Sequence, residues 1–520
     1  METLSRGRSR ALREHRLTAT PGKAQEMTGP GGAAPARLLV VGGAALFAIA
    51  LVAAGAASSR NSLLALGGVA GLVGLGAIVR FAPQRASDSL LLVFIALLAI
   101  PIDAYLGYVS HTGGWPGVRV SAADVCLYLL VFVVALGALV GRIQNPIPAR
   151  VLVWMGLLLV QYLISALRAP DVRLGLFEVA STAHAFLIAW IVAALFRREL
   201  TSWVFALVAL QMIVHSGLAA VQGITGRPIG AGWLGGSTQV LHEVLQTGTT
   251  RLRPAGLFAH PIVYATSLVI TLPIVTAGLT IGRGIALRTL CAVALVLGAV
   301  GLVLTLSRGA WISNFVAIVV LGALALRCRL VDARRIRTIV AVWVVIGVLL
   351  GAAFGPRVYE RMTRSEAGNV KVRFDLNAIA TRMTSAHPFF GAGLNNFVET
   401  MAPFDPKGVK SYFPAPAHNL YLLEAAEAGI PALVLWLGLF VSVVLMGVHH
   451  LPRMHDPLLQ WLVAAIVSGL VGLLVTQLAD FSHRLEPLRS MVWLNVGLLF
   501  GALQANRGRR LAAQHEAEPR

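Results

Sequence analysis

The chain has 520 residues, 57% of them apolar and only 13% charged, with a formal net charge of +20 and a mean hydropathy of +0.76. A soluble globular protein carries about 25% charged residues, so a water-soluble class is excluded. Apolar runs of about 20 residues, each long enough to cross a bilayer core of roughly 30 Å, recur along the chain and predict an all-α polytopic membrane protein. Transmembrane β-barrels show short alternating segments instead.

The first 36 residues carry Arg6, Arg8, Arg10, Arg13, Arg16 and Lys23 ahead of a Gly/Pro/Ala linker, and read as a disordered cytoplasmic tail. A signal peptide would place its apolar region closer to Met1. From there about fourteen spans (twelve to fourteen) are expected, near 37–58, 62–81, 89–108, 121–141, 149–168, 175–196, 201–222, 257–281, 285–306, 309–327, 337–355, 417–447, 457–479 and 488–505. Residues 37–505 form one transmembrane domain in this reading, and 506–520 a second cytoplasmic tail.

With the N-terminus inside, the even-numbered connections carry Arg80 and Arg85, Arg142 and Arg150, Arg197 and Arg198, Arg283 and Arg288, the cluster Arg327 to Arg337, and Arg453. This bias places both termini in the cytoplasm. It also explains the net charge without nucleic acid. Cys126, Cys291 and Cys328 lie in or beside apolar runs without CxxC spacing, so neither a disulfide framework nor a zinc site is expected.

Two outer connections are long. One runs from about Gly223 to Gly256. The other, the external loop 356–416, carries eight Lys/Arg and contains "RFDLNAIATRMTSAHPFFGAGLNNF", which reads as a short amphipathic helix followed by a glycine-rich turn. Polar groups converge on this outer side: Arg251, Arg253, His260, Arg308, Arg373, His387, His418, Asp480, His483 and Arg484. Arginine forks suit phosphate, and a histidine of ordinary pKa exchanges a proton near neutral pH. Together they suit binding a lipid pyrophosphate as leaving group and deprotonating an attacking hydroxyl.

Each residue also has a structural reading. Arginines at span ends snorkel; His260 and His387 precede prolines and can simply sit where helices begin; Asp480 and Arg484 can form a local ion pair. Residues alone leave a transporter open beside an enzyme. No DxD, HExxH or carboxylate pair at metal spacing lies near the arginines. Asp103 and Asp124, flanking the connection between the third and fourth spans, keep a metal-dependent enzyme under consideration.

The segment "HNLYLLEAAEAGIPALVLWLGLF" continues the argument. Residues 417–447 would make a helix of about 46 Å at 1.5 Å per residue, longer than the hydrocarbon, and bending is cheapest at Gly429–Ile430–Pro431. On such a helix His418 and Tyr421 share a face and Glu427 lies opposite, which assigns Glu427 an anchoring role.

Four motifs in order, "RPAGLFAHPIVYA", "LTLSRGAWIS", "RFDLNAIATRMTSAHPFFGAGLNNF" and "HNLYLLEAAEAGIP", resemble the O-antigen ligase/O-antigen polymerase superfamily of GT-C-class membrane glycosyltransferases. The resemblance covers residues 251–503. It implies metal-independent, inverting transfer of a glycan from an undecaprenyl-pyrophosphate carrier to an acceptor hydroxyl on the periplasmic or external side of a bacterial inner membrane, with no cofactor. On this resemblance Arg253, Arg308 and Arg373 fall on donor pyrophosphate-binding positions and His418 on the catalytic one. His260, Asn419 and Tyr421 are possible substrate contacts. Ile262 stands where the family often has Asn, and the 37–81 hairpin exceeds the family's usual span number. A polysaccharide polymerase is the reading adopted, with a glycan acceptor and a possible chain-length regulator. A ligase to lipid A-core, a protein O-oligosaccharyltransferase and a lipid-linked glycan flippase are the alternatives.

Overall fold

The computed structural model describes residues 86–517 except 101–102, 110, 112–115, 140–144, 228, 230–241, 245–249, 283 and 364–366. The expected N-terminal tail and the spans near 37–58 and 62–81 lie outside the described residues. Helices dominate: α1 (Ala86–Leu98), α2 (Ala122–Leu139), α3 (Ala149–Leu167), α4 (Val172–Leu195), α5 (Thr201–Thr225), α6 (Pro261–Ile281), α7 (Ile285–Leu304), α8 (Arg308–Arg327), α9 (Ala333–Thr363), α10 (Ala367–Ala386), α11 (Leu420–His450), α12 (Pro457–Thr476) and α13 (Leu488–Ala517). Two small antiparallel hairpins interrupt them, β1 (Asp103–Leu106) with β2 (Val118–Ser121) and β3 (His242–Val244) with β4 (Thr250–Leu252). Among the described residues nine helices are long and apolar enough to cross a membrane, and three shorter apolar helices accompany them. The chain is an all-α polytopic membrane protein.

The sequence boundaries need two changes. The span expected near 89–108 ends at Leu98, because Asp103–Leu106 pairs with Val118–Ser121 as a hairpin. The helix expected to stop near 355 continues to Thr363, and Ala367–Ala386 is helical as well, so the connection expected as an external loop is built largely of helix.

Burial sorts the helices. The apolar window of α6 is 94% buried and that of α12 83%, against 39% for α3 and α8. α8 turns Ile312, Phe315, Val319 and Leu326 outward, as expected of a lipid-facing flank. Small residues permit the central contact. A Cβ on Gly469 would lie 2.8 Å from Ile270 O, and one on Gly472 2.7 Å from Val269 Cγ1 and 3.0 Å from Ser313 O. α12 therefore meets α6 and α8 backbone to backbone, where dispersion contacts are densest.

α11 bends where its sequence breaks. Gly429 takes φ 88° and ψ 166° inside the helix, and Pro431 has no N–H to give the preceding turn. Backbone groups released there are engaged by other segments. Ala392 N donates to Ala426 O (2.8 Å), Gly393 N to Glu427 O (3.0 Å) and Ile430 N to Pro388 O (2.8 Å). From α3, Gln161 Nε2 donates to Ala428 O and Phe389 O (both 2.8 Å) and Ser165 Oγ to Glu427 O (2.8 Å). The glycine-rich turn 387–397 thus lies along the bend like a short added strand.

Two glycines set that fit. Gly391 (φ 68°) and Gly429 both occupy positive φ, and an added Cβ would meet Glu427 O at 2.1 Å and Phe389 O at 2.4 Å. Strained backbone of this kind costs about 1–3 kcal/mol for a non-glycine residue, and the clash adds to it. Gly391→Ala and Gly429→Ala are each expected to destabilise the detergent-solubilised protein by at least about 1–3 kcal/mol in thermal unfolding. Gly156→Ala, with nothing within 4 Å of its added Cβ, is expected to be neutral or slightly stabilising, and equal loss in all three would refute this account of the bend.

Candidate active site

The turn 477–484, after α12, is the hub around which the polar residues gather. Leu420 N, at the start of α11, donates to Gln477 O (3.0 Å) and Asp480 O (3.1 Å). Thr266 of α6 shares a hydrogen bond with Ser482 (Oγ1–Oγ 3.0 Å). Arg373 of α10 donates through Nη1 to Ala479 O (3.3 Å). Gly309, beside Arg308, brings its Cβ position to 3.6 Å from Ala479 Cβ. Four elements distant in sequence therefore meet at one end of the bundle.

The segment before α6 is held from two sides. Arg253 donates through Nε and Nη2 to Thr305 O (3.0 and 2.8 Å), which moors it to the end of α7. Gln222 of α5, buried, accepts from Ala255 N and Gly256 N (3.0 Å each) and donates to Gly256 O (2.8 Å). His260 then N-caps α6: its Nδ1 accepts from Ile262 N at 3.1 Å, with Pro261 in the first turn. An imidazole that accepts at Nδ1 carries its proton on Nε2 when neutral.

Arg308 opens α8 directly after a tight turn. Leu306 in that turn adopts φ 54°, and Trp311 Nε1 closes back on Leu302 O at 2.9 Å. The Arg308 side chain is half-buried and, among the described residues, makes no hydrogen bond or ion pair. Its helix start has no side-chain cap either. Unpaired amide N–H groups and a guanidinium therefore lie together at this helix N-terminus, which favours anions.

His418 precedes α11, packed between the rings of Phe413 (6.2 Å) and Phe481 (5.5 Å, edge-on), with its Nδ1 buried and without a hydrogen-bond partner among the described residues. Burial, reinforced by the charge of Arg373, lowers its pKa to about 4. His260 is lowered to about 3 by burial and then by Arg253, His418 and Arg373. The carboxyl of Asp480 moves the other way: burial raises it, against the opposing pull of Arg373 and of the Ser482 and Phe481 amides. These influences put His260 within electrostatic reach of Arg253, Arg373 and His418, and both His418 and Asp480 within reach of Arg373.

The other sequence candidates divide clearly. Asn419 is committed to the helix, its Oδ1 accepting from Leu422 N (3.1 Å). The hydroxyl of Tyr421 donates to Leu474 O (2.6 Å) and its ring meets Trp436 edge-on, so it joins α11 to α12. His387 does not begin a helix. It follows α10, exposed, with its ring against Phe404. Arg251 falls in β4 opposite Glu243. Asp124 accepts from Ser121 N (2.6 Å) and pairs with His184 (2.9 Å), which gives it a structural job in the hairpin region.

Asp480 and Arg484 do not form the ion pair expected from their spacing. Asp480 Oδ1 accepts from Ser482 N (2.8 Å), while Arg484 turns inward to Glu427 (2.5 Å) and Glu178 (3.5 Å). Glu427 also accepts from Asn395 N and Phe397 N (3.0 Å each), which matches its expected anchoring role. Glu178 pairs in addition with Arg489 (2.6 Å), and Tyr162 donates to Glu424 (2.7 Å). Tyr162, Glu178 and Arg489 sit inside or beside apolar runs, and only the presence of ionisable groups at such depth signals them in the sequence.

A polytopic all-α membrane protein with arginines, neutral histidines and an open helix N-terminus gathered at one end of its bundle is thereby defined. Residues 293–437 match the family model described as O-antigen ligase. That match supports the O-antigen ligase/polymerase superfamily, whose members are glycosyltransferase-like membrane enzymes. It spans Arg308, Arg373, His418, Asn419 and Tyr421, while Arg253 and His260 lie outside it, before its first residue. No curated protein matches the chain.

The sign of the histidine shifts gives a prediction. Both folded-state pKa values lie below that of a free imidazole, about 6.5, so the unfolded chain takes up protons first as pH falls. The stability these groups confer is complete above about 6.5 and is lost as pH falls through about 4 for His418 and about 3 for His260. Arg373→Gln is expected to raise the midpoint of His418 towards 6.5, read by site-resolved diethylpyrocarbonate labelling against pH. An unchanged midpoint would separate Arg373 from the site.

Proposed function

We propose that the chain is a polysaccharide polymerase. In this reading it transfers a glycan from an undecaprenyl-pyrophosphate donor to a hydroxyl of a second lipid-linked unit, at the periplasmic or external face of a bacterial inner membrane. The supporting observation is the convergence of Arg253, His260, Arg373 and His418 around the 477–484 turn, beside Arg308, within and next to a segment that matches O-antigen ligase.

Arg308, with Arg253 and Arg373, holds the donor diphosphate and stabilises the charge that grows on it as the bond to the anomeric carbon breaks. The acceptor oxygen forms the new bond to that carbon from the opposite face, so its configuration inverts. His418 takes the acceptor proton. Its low pKa makes it neutral, hence able to accept, but a weak base. A bound diphosphate reverses the field that Arg373 imposes and raises the basicity of the ring when the donor is present. The arginines supply the charge neutralisation that a metal provides in other phosphate chemistry. Lipid A-core and protein hydroxyls are the alternative acceptors. In the proposed topology both termini are cytoplasmic, and the single transmembrane domain runs from 37 to 505 with tails on either side.

The test is reconstitution with lipid-linked repeat units and no lipid A-core. A ladder of products is expected from the wild type. Arg308→Ala and His418→Ala should each lower the rate by about 10²–10³-fold or more with an unchanged thermal midpoint. Full activity in both would refute the site. Movement of the lipid across vesicles without a new glycosidic bond would establish a flippase instead.

A further inference from the structure

A second basic site lies at the opposite end of the bundle. α11 runs away from His418 to His450, α8 away from Arg308 to Arg327, and α3 begins at this far end with Ala149 and Arg150. Between these three helix ends is a cavity of about 820 Å³ lined by Arg150, Arg327, His449, His450 and Arg453, with Leu445 on its wall.

Two demands compete for these charges. Helix C-termini expose carbonyls and attract cations, and part of the set answers that demand. Arg453 Nη1 donates to His449 O (2.5 Å), and His450 Nδ1 lies 2.9 Å from Met446 O. Arg150 and Arg327 do not. Among the described residues neither has a hydrogen-bond or ion-pair partner, and the cavity lining holds no carboxylate. The nearby acid Asp456 is engaged by Arg198. Arg150 stands instead at the N-terminus of α3, which has no side-chain cap and adds positive potential of its own.

Snorkelling explains single arginines at span ends. It does not explain three arginines and two histidines gathered around one cavity at the ends of three helices, with Arg150 and Arg327 unpaired among the described residues. The wall is apolar and continues along the outward face of α11 through Leu445, Val441, Leu437 and Val434, all exposed. A soluble anion would leave that stripe unused, whereas a lipid occupies both parts. Basic pockets between transmembrane helices favour anionic headgroups by this combination.

We infer that this cavity binds the phosphate headgroup of an anionic bilayer phospholipid, with the guanidinium groups of Arg150 and Arg327 as its main contacts and the acyl chains along α11. This site is separate from the candidate active site and does not depend on the reaction assigned to it.

The full-length protein in detergent, titrated with phosphatidylglycerol or phosphatidylcholine and read by native mass spectrometry, tests it. Wild type should retain phosphatidylglycerol at least about tenfold better, since both lipids carry a phosphate but the choline of phosphatidylcholine brings a second cation into a cavity lined by Arg150, Arg327 and Arg453. The preference should fall to near unity in Arg150→Gln/Arg327→Gln, and stay in Arg288→Gln, a basic side chain at the same end that bonds Gly282 O. Inorganic phosphate at millimolar concentration should not displace the lipid. A photoactivatable phosphatidylglycerol added to the wild type should label the peptide 437–453, a readout that needs no variant to fold. Equal retention of the two lipids, preference surviving in the double variant, displacement by inorganic phosphate or labelling confined to other helices would each overturn the proposal.

Discussion

The carboxylate of Glu427 holds the structure around the site in register. It is buried in the bent part of α11 and accepts from Asn395 N, Phe397 N and Arg484 together. A carboxylate at that depth is very costly unless its oxygens are bonded, so the three donors and the segments that carry them are specified as a set. One donor segment is the glycine-rich turn that lies along the bend. The other is the 477–484 turn, from which Arg484 reaches down. Arg484 then meets Glu178 on α4, which Arg489 at the start of α13 also contacts. Removing either partner of such a pair strands the other charge, at about 3–5 kcal/mol.

Electrostatically the molecule is layered along α11. In the inner layer Glu427 and Glu178 pair with Arg484 and Arg489, and Glu424 lies beside them on Tyr162. Above it, at the end where α11 begins, Arg253, Arg308 and Arg373 gather with Asp480, whose carboxyl is pushed towards its neutral form by burial. The helices α6, α8 and α11 all begin at this end, so their partial positive charges add to those of the arginines. The low pKa values of His260 and His418 come first from burial and then from this field: a proton added there would lose its solvation and join an existing excess of positive charge. This end is thus built before any ligand arrives to favour one, and the ligand it favours is an anion.

The helical class and most helix positions were legible in the sequence because a bilayer demands long apolar runs and the residues obey. The bend of α11 was legible for the same sort of reason, since Gly429 and Pro431 are local causes of a local effect. Failures came where partners are remote. The hairpin that ends α1 depends on pairing across twelve or more residues, and the extension of α9 past Pro356 is not signalled by hydropathy. Arg484 beside Asp480 suggested a local ion pair, yet its partners lie 57 and 306 positions away. Tyr421 shared a face with His418 on the helical wheel. A wheel gives direction but not neighbour, and Leu474 O occupies that direction.

The two basic ends of the bundle differ in a way that residue counts hide. At the end where α11 begins, charge comes from side chains and from helix N-termini together, and unpaired backbone N–H groups can meet a compact, multiply charged group at hydrogen-bond distance. At the far end α8 and α11 present C-terminal carbonyls, which repel anions and already engage Arg453. Only side chains without carbonyl acceptors, Arg150 and Arg327, are left for a ligand, and their reach is towards the lipid-facing groove. In the two proposed roles the same residue type would serve a dense diphosphate at one end and a dispersed headgroup with its hydrocarbon at the other. Helix direction decides which.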